Sequence, residues 1–281
     1  MLVNLAEILK VRHAGEAIGC FNTPNIASLK AVIGAAEELN QPVIIAHAGV
    51  HEKFVPLEII GPAILAAARI SKVPVCVLLD HGETPDYCYQ AAELGFTAIM
   101  YDGSLLPYEE NLKTTKTIVD AMHAKGISVE AELGTLKRHD TVEEEAASTK
   151  PDVYTDPAIA EEFVNYTGVD ALAVAFGAAH GIYFKEPVLD FERLDAINRR
   201  IDTPLVMHGG SGISEKDYRN VIERGIEKIN YYTYMSTAGG QAVKKWVDNN
   251  ERVFFHDIEF TAETAMRDHV RHTMKVFSNI K

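Results

Sequence analysis

Three histidines in this chain are each followed at once by glycine, in Leu79-Asp80-His81-Gly82, Ala178-Ala179-His180-Gly181 and Val206-Met207-His208-Gly209-Gly210-Ser211-Gly212. Each lies downstream of an apolar run. Such a run stopping at a polar residue and glycine reads as a buried strand surfacing into a loop. Three imidazoles delivered to one place, with a fourth position left open, make a catalytic zinc site. A single histidine at a strand end is commonly structural. Three strand ends drawn from only 11 histidines in 281 residues favour the metal. Asp80 reads as a general acid/base beside a metal-bound substrate, or as a carboxylate that orients an imidazole. Asp102 and Glu132 read as further metal ligands or hydrogen-bond partners of the histidines, or as caps of the helices that follow.

Eight strand-like runs position these residues: 17–22, 42–47, 74–80, 97–101, 128–132, 171–176, 204–207 and 228–232. Most are apolar throughout, as expected of parallel strands covered on both faces. Segments of helical periodicity lie between them, among others 26–39, 85–94, 108–125, 158–167, 191–200 and 215–224. Several open near Ser, Thr or Asp and close near Gly. Regular alternation without a domain-scale linker predicts an α/β chain whose residues 1–281 form a single (β/α)8 TIM barrel, with additional terminal helices at 237–249 and 261–281. The segment 135–156 breaks the rhythm. It is polar, carries Glu143-Glu144-Glu145, and reads as a solvated loop or as a mobile lid.

Barrel chemistry sits at the C-terminal ends of the strands. By that rule Asn22, His81, Asp102, Glu132, His180, His208 and the run Asn230-Tyr231-Tyr232-Thr233 share one mouth. The glycines of Gly209-Gly210-Ser211 let a ligand approach the backbone closely, although such loops are often only tight turns. After strand seven, backbone amides and a helix N-terminus favour phosphate.

The formal charge of −13 argues against nucleic acid and anionic membrane surfaces as partners. No apolar run is long enough to span a bilayer. The three cysteines, Cys20, Cys76 and Cys88, show no paired spacing, and Cys20 and Cys76 read as small buried hydrophobes in a reducing compartment. The opening Met1-Leu2-Val3-Asn4-Leu5-Ala6-Glu7 lacks the basic lead-in of a signal peptide, which predicts a cytoplasmic protein. The terminal helices predict packing on a neighbouring subunit, in a homodimer or homotetramer.

Taken together, these residues resemble the class II, zinc-dependent ketose-bisphosphate aldolases. The likeness runs from Phe21-Asn22 to Thr233, through Tyr101-Asp102-Gly103-Ser104, Ser128-Val129-Glu130-Ala131-Glu132-Leu133-Gly134, Tyr154-Thr155-Asp156-Pro157 and Lys228-Ile229-Asn230 besides the three histidine motifs. The resemblance implies zinc on His81, His180 and His208, with alternate metal or monovalent-cation (Na+ or K+) positions at Asp102 and Glu132. It implies proton transfer by Asp80, and dihydroxyacetone phosphate contacts at Gly181, Gly209, Gly210, Ser211, Asn230, Tyr231, Tyr232 and Thr233. Asn22 joins them as a substrate contact. A second base is implied on the loop after strand five, at Glu143, Glu144 or Glu145. The implied reaction cleaves a fructose- or tagatose-bisphosphate-like ketose to dihydroxyacetone phosphate and an aldehyde such as glyceraldehyde 3-phosphate. Departures from the family pattern are Thr135-Leu136-Lys137-Arg138 in the loop, Ala178-Ala179, Ala46-His47-Ala48-Gly49, Tyr232 and Tyr234. They leave open an aldolase for a different aldehyde, a metal-dependent epimerase or lyase, and a noncatalytic sugar-phosphate-binding protein.

Overall fold

A computed structural model describes residues 1–134 and 154–280, and the backbone of 138–139. Eight parallel strands are β1 (Ile18–Asn22), β2 (Val43–Ala48), β3 (Val75–Gly82), β4 (Ala98–Tyr101), β5 (Ser128–Leu133), β6 (Ala171–Val174), β7 (Leu205–Met207) and β8 (Ile226–Tyr231). Each pairs in parallel with its neighbours in chain order, and β8 pairs with β1, so the sheet closes on itself as a TIM barrel.

Strand side chains alternate between two apolar environments, which is why the sequence runs show little polar alternation. Val43, Ile45, Val75, Val77, Leu79, Val129 and Ile229 point outwards into a core shared with the helices. Ile18, Cys20, Ile44, Ala46, Cys76, Leu78, Ala98, Met100, Ala171, Ala173 and Val206 fill the inside. All three cysteines are free and buried.

Helix α1 (Leu5–Lys10) closes the floor of the barrel with Leu5, Ile8 and Leu9, which pack into the inner core. Asn4 and Glu7 form a capping box that starts this helix, and the amide of Ala6 donates to Ser128 Oγ at 3.1 Å. Helices α2 (Ile26–Leu39) and α4 (Pro85–Leu94) keep the bounds expected from sequence. Both are capped as their residues suggest, by Asn25 and Thr84 at the start and by left-handed Asn40 and Gly95 at the end.

The periodicity does not place α3 (Leu57–Ile70), because Gly61 and Pro62 interrupt it. Burial of Leu57, Ile60, Ile64, Leu65 and Ala68 outweighs that local penalty. Helices α5 (Tyr108–His123), α6 (Pro157–Thr167), α7 (Phe191–Asn198) and α8 (Glu215–Glu223) complete the outer ring. The terminal helices α9 (Thr233–Asp248) and α10 (Phe255–Phe277) each start earlier than the sequence suggests, and α10 packs against α2 and α9. No helix among the described residues is long and apolar enough to cross a membrane.

Candidate metal centre and active site

The mouth at the strand C-termini holds a cavity of about 350 Å3, lined in part by Asn22, Asp80, His81, Asp102, Glu132, His180, Gly181, Gly209, Ser211 and residues 230–233. Strand alternation alone would send Asp80 inwards and His81 outwards. The ladder between β3 and β4 skips a step, with Leu79 opposite Ile99 but Gly82 opposite Tyr101. One extra residue is therefore bulged out of register. His81 takes the left-handed conformation, φ 51°, that the bulge requires. Gly82 turns outwards again, where a Cβ would lie 2.7 Å from Cys88 Sγ and 2.9 Å from the Met100 carbonyl. Two adjacent polar residues thus face one mouth.

The three imidazoles converge. Ring centroids are 4.8 Å apart for His81 and His208, 5.0 Å for His81 and His180, and 5.7 Å for His180 and His208. His208 continues β7 on its inner face. His180 comes from a loop rather than a strand end, because β6 stops at Val174. Gly177, at φ 114°, packs against the Val188 carbonyl with no room for a Cβ. His180-Gly181 then pairs in parallel with Arg138–His139. Tyr183 pins this loop to the one after β7, its hydroxyl donating to the Gly209 carbonyl at 2.9 Å and accepting from the Ala179 amide at 2.7 Å.

A carboxylate stands behind two of the rings. Asp102 Oδ2 lies 2.7 Å from His81 Nδ1, and Glu130 Oε1 lies 2.9 Å from His208 Nε2. A carboxylate accepts only, so each contact places a ring proton on that nitrogen. The opposite nitrogens, His81 Nε2 and His208 Nδ1, are turned into the mouth, and they face one another at 3.0 Å. With His81 charged and His208 neutral, His81 Nε2–H donates to the His208 Nδ1 lone pair, and a metal ion would take the place of that proton. Ligand nitrogens of all three histidines lie within 4.8 Å of one another, as do ligand atoms of His81, Asp102 and Glu132. Glu132 is 2% exposed, and its buried Oε2 has no hydrogen-bond partner although it lies 3.9 Å from His208 Nδ1 and 4.0 Å from His81 Nδ1. The donor set, its carboxylate backing and this orphaned oxygen fit a zinc ion.

The protonation states place one positive charge on the His81–His208 pair. Burial would lower the pKa of His81, but the Asp80 carboxylate and the Asp102 hydrogen bond raise it to about 10. In His208, burial and the neighbouring His81 charge push the pKa well down, so this ring is neutral. Burial raises Glu132 far above the usual carboxylate range, with the Asp102 charge adding to it.

Asp80, 2% exposed, is held by two amides: Asn22 Nδ2 donates to Oδ2 and Asn230 Nδ2 to Oδ1, each at 2.9 Å. Burial opposes its ionisation, yet the His81 and Lys228 charges and the Asn22 hydrogen bond hold its pKa below the ordinary value. At the other side of the mouth, Gly209 (φ 66°) lies so close to the Ala179 carbonyl that a Cβ would sit 2.3 Å from it. Ser211 Oγ accepts from the Tyr232 amide at 2.9 Å. The first turn of α9, at Thr233, has no side-chain cap, and Tyr232 and Thr233 line the cavity at this helix N-terminus.

Most of the sequence-selected residues therefore meet at one place. Tyr231 differs: its side chain lies on the outer face of β8, where the hydroxyl meets His269 Nε2 at 2.6 Å and the ring packs near Phe21 and Phe277. Glu143, Glu144 and Glu145 lie outside the described residues. Glu130, Lys228 and His51 were not singled out from sequence. Glu130 backs His208, and its signal is the inward alternation Ser128, Glu130, Glu132 on β5. His51 meets Tyr232 edge-on at 4.8 Å on the outer wall of the cavity. The turn Gly49–His51 that carries it is braced from behind by Glu52, which is hydrogen-bonded to His47 at 3.1 Å and to the Tyr87 hydroxyl at 2.5 Å.

Fold and site together define a class II aldolase. The family described as class II fructose-bisphosphate aldolase matches residues 3–281, and the chain belongs to it. It is therefore a lyase of a family that depends in general on zinc and acts on sugar phosphates. The chain is 37% identical over 261 residues to the fructose-bisphosphate aldolase of Staphylococcus aureus (strain Mu50 / ATCC 700699), covering 90% of this chain and 88% of that one. It is 39% identical over 263 residues to YdjI of Escherichia coli (strain K12), covering 94% and 92%. The crystal structure of that protein, the YdjI aldolase, superposes with a TM-score of 0.87 over 99% of this chain and 97% of that one, at 35% identity.

Proposed function

We propose that the chain is a zinc-dependent aldolase that reversibly cleaves a phosphorylated ketose, fructose- or tagatose-bisphosphate-like, to dihydroxyacetone phosphate and an aldehyde such as glyceraldehyde 3-phosphate. It works in the cytoplasm as one domain within a homodimer or homotetramer. The observation that carries this reading is the convergence of three imidazoles, whose ligand nitrogens lie within 4.8 Å of one another, beside a doubly hydrogen-bonded Asp80.

His81, His180 and His208 hold the zinc, with Asp102 and Glu132 offering a second position for metal or for Na+ or K+. When bound, the ion supplies Lewis-acid polarisation of the ketose carbonyl and stabilises the negative charge that cleavage develops there. Asp80 takes the C4 hydroxyl proton during cleavage and returns it during condensation. The amides of Asn22 and Asn230 keep both its oxygens as acceptors and aim them into the cavity. Gly181, Gly209, Gly210 and Ser211, with residues 230–233 at the N-terminus of α9, receive the phosphate of the triose half. A glutamate among residues 143–145 exchanges the proton at the carbon left by cleavage.

The test is dihydroxyacetone phosphate release from fructose and tagatose bisphosphates and from ketose 1-phosphates, by zinc-loaded and chelated protein. Chelator-sensitive release from one of them is expected. Stoichiometric zinc and tight sugar-phosphate binding without any release would replace this reading with a noncatalytic binding role.

A further inference from the structure

Lys228 lies inside the barrel on β8 and is fully buried. An ammonium has three protons to place, and water cannot reach this one. Its Nζ lies 3.1 Å from Glu130 Oε1, 2.9 Å from Glu130 Oε2 and 2.5 Å from Asn230 Oδ1. The contacts to Glu130 Oε1 and Asn230 Oδ1 are hydrogen bonds, and the one to Glu130 Oε2, an oxygen with no hydrogen-bond partner, is an ion pair.

The consequences run in two directions. Lys228 holds the Glu130 carboxylate, and Glu130 Oε1 in turn holds His208 Nε2 at 2.9 Å. That contact keeps the proton on Nε2 and the lone pair on Nδ1, facing His81. Lys228 also claims Asn230 Oδ1, so the amide of Asn230 must present its NH2 to the other side. There it donates to Asp80 Oδ1 at 2.9 Å.

We propose that Lys228 is a positioning residue that sets the metal-facing nitrogen of His208 through Glu130 and the acceptor geometry of Asp80 through Asn230. One buried cation thus keeps the metal ligand and the proton carrier in mutual register. This rests on the aldolase reading above.

The test measures zinc affinity by competition with a chromogenic chelator, alongside retro-aldol kinetics, on the full chain. Lys228→Met is expected to weaken zinc by about 10- to 100-fold and to lower kcat even at saturating zinc. Glu130→Gln should weaken zinc similarly. Asn230→Ala should lower kcat and leave zinc affinity unchanged, because only the Asp80 arm is cut.

Lys228→Met alone leaves Glu130 unpaired in the interior and is prone to misfolding. The deciding variant is therefore Lys228→Met with Glu130→Leu, which removes both charges and is expected to fold. Glu130→Leu alone already cuts the His208 arm, so the double variant is read against it: if kcat at saturating zinc falls further when Lys228 is replaced as well, the Asp80 arm is real and the proposal stands. If the double variant's kcat at saturating zinc equals that of Glu130→Leu, Lys228 only stabilises the fold and the proposal is overturned. The aldolase reading fails separately, on the wild type alone, if zinc-loaded protein releases no triose phosphate. The zinc-affinity arm then still decides whether Lys228 positions His208.

Discussion

What an imidazole offers on one nitrogen is decided by what holds the other. Asp102 does this for His81 and Glu130 for His208. Asp102→Asn, whose side chain can turn its NH2 towards the ring, is expected to weaken zinc by about 10- to 100-fold, read by chelator competition. Asp80 admits two sequence readings, proton carrier or orienting carboxylate, and the structure shows both amides that hold it but no bond from it to a ring. Asp80→Ala should cut kcat by about 10²- to 10⁴-fold while zinc affinity stays at the wild-type level; a parallel loss of zinc would assign it to orienting the metal ligands instead. The metal-competent histidines were legible because an acid or imidazole after an apolar run is conspicuous. Glu130 and Lys228 were less so, because their partnership joins residues far apart in sequence and leaves no local spacing. Their trace is parity: Ser128, Glu130 and Glu132 are polar at every second position on an otherwise apolar β5, and Lys228 and Asn230 continue the pattern on β8, where Glu227 blurs it. The same parity places Tyr231 on the outer face, where its hydroxyl meets His269.

At the scale of elements, all eight strands fell where the apolar runs lie, within one or two residues. The gains and losses come from segments whose conformation is set by contacts. Helix α3 forms despite Gly61 and Pro62, and His180 travels on a loop that only the Tyr183 clamp and the short pairing with Arg138–His139 explain. The bulge in β3 was not legible either, since nothing in Asp80-His81-Gly82 says which of two adjacent polar residues faces in. Gly209 tests how tightly these loops are locked. At φ 66°, with the Ala179 carbonyl in the place of a Cβ, Gly209→Ala is expected to destabilise the fold by about 1–3 kcal/mol and to raise KM for the ketose phosphate. Thermal melts and saturation kinetics would check both; an unchanged KM would detach this loop from the phosphate.

For the molecule as a whole, the proposed zinc ligands come from β3, the loop after β6 and the end of β7, so a bound ion would join distant arcs of the ring. Any ligand that binds only the folded state adds stability by mass action, about 2.7 kcal/mol at a hundred times its Kd. Zinc should therefore raise Tm by several degrees, measured by calorimetry, and His81→Ala should abolish the rise. A shift that persists in His81→Ala would place the ion elsewhere. At the opposite end, Leu5, Ile8 and Leu9 of α1 stopper the barrel. Among the described residues, the cavity opens at the strand C-termini. A reaction that makes two products from one substrate must send both out by the route the substrate came in. The fragment at the rim has to depart before the one seated at the bottom can follow, and in the synthetic direction the queue forms in reverse.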